Sequence, residues 1–253
     1  MNDRIRVLFI HHSTGGNLIQ QGEARERFHE ADPRIEFWDH GYDPTGIKKL
    51  LGIRAFAGSP AHGLRDGSGT LQPQTWHFPG NNTDPDGLAR LFQQPVFNPS
   101  RNALSHALDF DVIIFKSCYP VTAIVDDGQL QTYASHYLSI QTTIDRFPDK
   151  LFIPMTPPPL RASLTTPQQA VRARQFADWM QSEEFLGRDR TRRRNIAVFD
   201  FFDALAAPPT TSSTPTPATR YCLPDVNVRT RSACQRRSGR PLGRFCRRVD
   251  PAV

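Results

Sequence analysis

The residues best placed for chemistry follow short apolar runs. Val7-Leu8-Phe9-Ile10 leads into His11-His12-Ser13-Thr14-Gly15-Gly16-Asn17-Leu18. A serine at a turn from strand to helix, followed by two glycines, presents its hydroxyl at the helix N-terminus. Its own backbone N–H then points to where an oxyanion would develop. On this segment alone a plain helix cap is the favoured reading of Ser13, a position that favours Ser and Thr. The segment Pro79–Gly87 offers a phosphate or oxyanion loop, while its Asp84-Pro85 step is also a good helix start for Gly87–Phe92. Lys116-Ser117-Cys118-Tyr119-Pro120 follows a third apolar run, and Thr156-Pro157-Pro158-Pro159-Leu160 a fourth.

A hydroxyl nucleophile needs a base within hydrogen-bond reach. His40, in Asp39-His40-Gly41-Tyr42, follows the second run and stands as a surrogate base, with a structural loop histidine as the competing reading. His11 and His12 adjoin Ser13, but a sequence neighbour on an extended segment does not ordinarily aim its ring at that hydroxyl. His106 and His136 fall in helical patterns, and His62 and His77 in a loop excursion. No His/Cys/Asp spacing suggests a metal, and Cys222, Cys234 and Cys246 lack the paired Cys-x-x-Cys of zinc sites. No cofactor is expected.

These residues need a scaffold, and the apolar runs supply it. Ile5–Ile10, Ile35–Trp38, Asp111–Phe115, Leu151–Met155 and Ile196–Phe201 read as five strands, the strongest having the continuous apolar character of buried parallel strands. Between them lie helical patterns. Gln129–Phe147 places Leu130, Tyr133, Ala134, Tyr137, Leu138 and Ile144 on one face, Thr166-Pro167 opens a helix through Trp179 and Phe185, and Ser100–Leu108 is a shorter one. Strand and helix in alternation predict an α/β fold, with a parallel five-stranded sheet covered on both faces. In such sheets ligands gather at the carboxyl ends of the strands, where the candidate residues lie. Gly41–Gly80, rich in Gly, Pro and Asp, reads as a long loop excursion.

Composition divides the chain. Its 253 residues suffice for one sizeable α/β domain. Residues 1–205 carry the regular pattern, and 206–253 hold a Pro/Thr/Ser/Ala linker followed by a tail. From Arg220 onward there are nine arginines, no lysine and two aspartates, a net +7 against +6 for the whole chain. The body is therefore near neutral. The tail has no recognisable nucleic-acid-binding fold and reads as a disordered end, so no nucleic-acid partner is expected. The abrupt change is what a frameshift near residue 208 would produce. No run approaches the ~20 apolar residues of a membrane helix, and the N-terminal run is too short for a signal peptide core. A cytoplasmic protein with no membrane partner is expected.

Taken in order, Phe9-Ile10-His11-His12-Ser13-Thr14-Gly15, Trp38-Asp39-His40-Gly41-Tyr42, Asn82–Phe92, Phe115–Pro120 and Met155–Leu160 resemble the blocks of the SGNH (GDSL-like) hydrolase superfamily. The match is to a divergent bacterial branch whose first block reads His-His-Ser. The similarity spans about residues 5 to 205. It implies a flavodoxin-like three-layer α/β/α sandwich and serine esterase chemistry on an acyl or acetyl ester, including esters of carbohydrates. Ser13 maps to the nucleophile. Gly87 maps to the block-two oxyanion donor, with Gly80 as rival. The block-three asparagine is missing: Cys118 stands nearest by spacing, a weak donor, with Ser117 as the alternative. The family's C-terminal Asp-x-x-His is absent, and the last histidine in the chain is His136. Loss of that base implies impaired hydrolysis, and the alternative is an inactive fold that binds a glycan or peptide.

Overall fold

The apolar runs form strands because each is buried on both faces and lies beside another. The computed structural model describes residues 4–12, 14–41, 63–74, 76–78, 84–187 and 195–206. Strands β1 (Ile5–His11), β2 (Ile35–Gly41), β3 (Gly63–Arg65), β4 (Val112–Lys116) and β5 (Leu151–Met155) make one sheet in the order β3-β2-β1-β4-β5. The β1–β2, β1–β4 and β4–β5 pairs are parallel. Only β3 runs antiparallel, on the outer edge of β2.

Strand periodicity of two sorts the core into two faces. On one face Leu8, Ile10, Ile113, Phe115 and Phe152 pack against α3 (Pro85–Phe92), α4 (Ala103–Ala107), α5 (Asp127–Ile144) and α6 (Pro167–Met180). On the other, Val7, Phe9, Phe37, Ile114 and Met155 pack beneath α1 (Thr14–Gln20), α2 (Ala24–Ala31) and α8 (Phe201–Leu205). Helices thus cover both sides of the sheet. No helix among the described residues is long and apolar enough to cross a membrane.

Helix ends follow local chemistry. Asp126 caps α5 by accepting from the Gln129 N–H at 2.7 Å, and Thr166 and Gln169 form a reciprocal capping box ahead of Pro167 on α6. Three expectations are corrected. Helix α6 stops at Met180, and Phe185 belongs to a separate short helix, α7 (Glu183–Leu186), capped by Ser182. Leu138 lies on the exposed side of α5, while Tyr137, Ile140 and Ile144 are its buried face. The fifth sheet member is β3, inside the segment read as a loop excursion, and not residues 196–201.

That last segment does run parallel beside β5, through bridges at Phe152–Ile196 and Met155–Phe199. The Phe152 N–H donates to Asn195 O at 2.8 Å and the Thr156 N–H to Phe199 O at 3.0 Å. Between these two donors on the same edge stands Pro154, which has no N–H to give. One rung is lost and no continuous strand forms. Residues 207–253, including the arginine-rich tail, lie outside the described residues, as do 42–62.

Fully buried Phe152 touches both the sheet and its helical cover. Phe152→Ala is expected to lower the unfolding free energy by about 3–5 kcal/mol, and Leu138→Ala by under about 1 kcal/mol, as read by urea denaturation.

Candidate functional site

The carboxyl ends of β1, β2 and β4 bring polar side chains together on the α1/α2 face. His11, Asp39 and Lys116 share that face with Phe9, Phe37 and Ile114, two residues behind each of them. All three are buried, with exposures of 1%, 3% and 0%. In so closed a site each polar group needs a partner.

The His11 Nε2 and Asp39 Oδ2 lie 2.8 Å apart. Burial, reinforced by the positive charges of Lys116, Arg25 and Arg65, pulls His11 down to about 3. The ring is therefore neutral near pH 7, and since an ionised carboxylate only accepts, Nε2 carries the proton and donates it to Asp39. The other oxygen, Asp39 Oδ1, takes the Arg25 guanidinium from α2. A chain Arg25–Asp39–His11 thus ties α2 to β2 and β1. Gly15 closes over it: a Cβ there would stand 2.3 Å from the His11 Cβ, so a side chain at this position would force the turn or His11 to shift.

Lys116 ends the apolar run of β4 and turns up to the same turn. Its Nζ donates to Thr14 Oγ1 at 2.7 Å and reaches Ser117 O at 3.5 Å. Burial lowers its pKa to about 8. A half-buried hydroxyl held by a wholly buried amine thus lies over the ends of β1 and β4.

The residues expected from sequence fall as follows. Ser13 lies outside the described residues, between His12 and Thr14, which are described; Gly80 lies outside them too. Gly87 is buried in the first turn of α3, and its N–H donates to Asp84 O at 3.1 Å, so that donor is already engaged. Cys118 is a buried free thiol at the start of a 3-10 turn, Tyr119–Thr122. Ser117 faces the other side of the sheet, its Oγ 3.2 Å from the Tyr137 hydroxyl. Burial pushes that phenol up to about 12, so it stays protonated. His40 also lies on the opposite face from Lys116. It accepts from the Trp76 N–H at 3.2 Å through Nε2 and stacks on Trp76 at 4.9 Å. At 2% exposure it packs between β2 and Trp76.

Sequence reasoning did not single out His11, Asp39, Arg25 or Lys116. The available signal was a polar residue ending each inward-facing apolar series, where burial demands a partner. Among the described residues no three His, Cys, Asp or Glu side chains converge as a metal site. Compared with protein-family models, curated proteins and solved structures, the chain finds no match.

Two outcomes follow. The folded state holds His11 neutral down to about 3, whereas an unfolded histidine binds a proton below about 6.5. The unfolded state therefore binds more protons in that window. Stability should fall as pH drops from 6.5 toward 3, by on the order of 1 kcal/mol per unit, and urea denaturation of His11→Asn should show a flatter dependence. Gly15→Ala, forced against His11, should cost about 1–3 kcal/mol by the same measurement.

Proposed function

We propose that this chain is a serine ester hydrolase of the SGNH-like kind, acting on a small acyl or acetyl ester, carbohydrate esters included. Ser13 is its nucleophile, and its base is not the Asp-x-x-His histidine. The observation that carries the reading is the Thr14–Lys116 contact between the ends of β1 and β4. Counting only parallel segments in chain order, the spatial order is second-first-third-fourth, with residues 196–199 beyond as the fifth. That order supports the flavodoxin-like reading, in which the switch point between β1 and β4 is where open α/β sheets bind ligands. The turn that follows Ser13 therefore occupies the place where a substrate is expected. It carries Thr14, whose hydroxyl meets a titratable amine one residue beyond the position assigned to the nucleophile.

The reaction is acyl transfer in two stages. Ser13 attacks the ester carbonyl, the alcohol leaves, and water releases the acid. The oxyanion is stabilised by backbone N–H donors of the β1–α1 turn, each worth about 3 kcal/mol. With the Gly87 N–H engaged, Ser117 turned to Tyr137 and Cys118 a weak donor, this hole is poorer than the family's, and turnover is slow.

The alternative, an inactive glycan-binding fold, would need an open aromatic platform. The groove of about 500 Å³ beside Arg6, Trp38 and Trp76 is the candidate. Its rings are already covered: Trp76 lies between His40 and His106, and Arg6 sits over Trp38 and Phe110. The hydrolase reading is therefore preferred.

Hydrolysis of p-nitrophenyl acetate by the full chain should be slow but measurable, and Ser13→Ala should remove it. Equal rates for the two proteins would refute the proposal.

A further inference from the structure

The groove beside Arg6, Trp38 and Trp76 opens on the face of the sheet that carries α3, α4 and α5. We infer that it is a binding site for an aromatic monocarboxylate, held by the Arg6 guanidinium and by the ring edges of the groove wall. Arg6 stands five residues ahead of His11 on β1, which at the rise of a strand is about 16 Å from the end where the candidate site lies. The groove is thus a second site, and the inference does not depend on the hydrolase reading.

Strand periodicity puts Arg6 on the same face as Leu8 and Ile10, so a half-buried guanidinium lies at the margin of an apolar core. Its Nη1 donates to the Asp109 carbonyl at 3.2 Å. Its central carbon lies 4.3 Å from the centre of the Phe110 ring and 5.3 Å from that of Trp38. These contacts hold the group in place but bring it no negative charge. The Asp109 carboxylate is engaged by the Ser100 hydroxyl at 3.1 Å and faces His106 at 3.7 Å. Asp111 accepts the Arg6 backbone N–H at 2.8 Å. Among the described residues Arg6 makes no ion pair, and the Nε and Nη2 side of its fork has no partner. That side matches a carboxylate, which takes two parallel N–H donors.

The rings favour the same ligand. Trp76 is stacked by His40 at 4.9 Å and by His106 at 5.2 Å, and both tryptophans meet Phe110 edge to face. With their faces taken, the rings offer a ligand their edges, the positive part of an aromatic quadrupole. The indole N–H groups of Trp38 and Trp76 are buried with no acceptor among the described residues, which leaves two donors in the groove wall unsatisfied. Leu64, Pro73 and Phe110 supply apolar surface for the ring of the ligand. The volume of about 500 Å³ is that of a small-molecule site. Arg6 is the one arginine or lysine of the lining and Asp109 the one carboxylate, so a single negative charge is favoured and a dianion is opposed.

The test follows the indole N–H signals of the full chain by ¹H–¹⁵N NMR, each assigned by a Trp→Phe replacement, with Trp179 on α6 as the internal reference. Benzoate should shift the Trp38 and Trp76 signals with half-saturation at about 1 mM and leave Trp179 in place. Benzyl alcohol, similar in shape but neutral, should move none of them. Arg6→Gln should weaken benzoate by about 10-fold or more. Phenyl phosphate, close to doubly charged at neutral pH, should bind several-fold more weakly than benzoate, and Asp109→Asn should narrow that gap. If Arg6→Gln gives no dispersed spectrum, Asp109→Asn decides, because asparagine keeps an acceptor for Ser100 and removes only the charge. Trp38 and Trp76 signals unmoved by benzoate at about 20 mM, or moved equally in wild type and Arg6→Gln, would overturn the inference. So would an unchanged ratio of phenyl phosphate to benzoate affinity in Asp109→Asn.

Discussion

Burying a lysine amine completely is unfavourable unless something holds it, and in this fold the Thr14 hydroxyl is one of its holders. That hydrogen bond joins the end of β4 to the first residue of α1. It therefore fixes the first residue of α1 over the seam between β1 and β4. A desolvated amine favours its neutral form, so the group that pins the turn is also one able to accept a proton. The packing of this edge and the reading of the site depend on the same contact.

The neighbouring Arg25–Asp39–His11 chain has a different character. It alternates cation, anion and neutral ring, with the Asp39 carboxylate engaged from both sides. A buried carboxylate so satisfied is a poor base, and a histidine held neutral far below its ordinary range is a poor acid near neutrality. The chain acts as a brace. It holds α2 against the sheet and presents His11 as the floor on which Gly15 rests, which sets how closely α1 approaches β1. Aspartate and histidine, residues often associated with hydrolases, here do structural work.

The strands and helices were largely legible because their signals are local: continuous apolar runs for β1 and β4, the Asp126 and Thr166 caps, and the 3.6 period that placed Tyr137 and Ile144 inward. What escaped reading depended on contacts between distant segments. The antiparallel strand β3 contributes only Gly63–Arg65, too short to register as a pattern. The broken edge at 196–199 follows from one proline on its neighbour. His40 looked free at the right sheet edge, but Trp76, far along the chain, claims its Nε2. Lys116 read as the first residue past a strand, and nothing in the sequence says that its amine meets Thr14. The candidate turn was visible as Ser13-Thr14-Gly15-Gly16, while the amine that meets Thr14 came only from the fold.

The most direct measurement is a ¹³C NMR titration of the Lys116 ε-carbon in the full chain, assigned by comparison with Lys116→Met. The account predicts a midpoint near 8 that shifts when Thr14 is replaced by valine. A midpoint at the ordinary lysine value of 10.5, unmoved by that replacement, would contradict it.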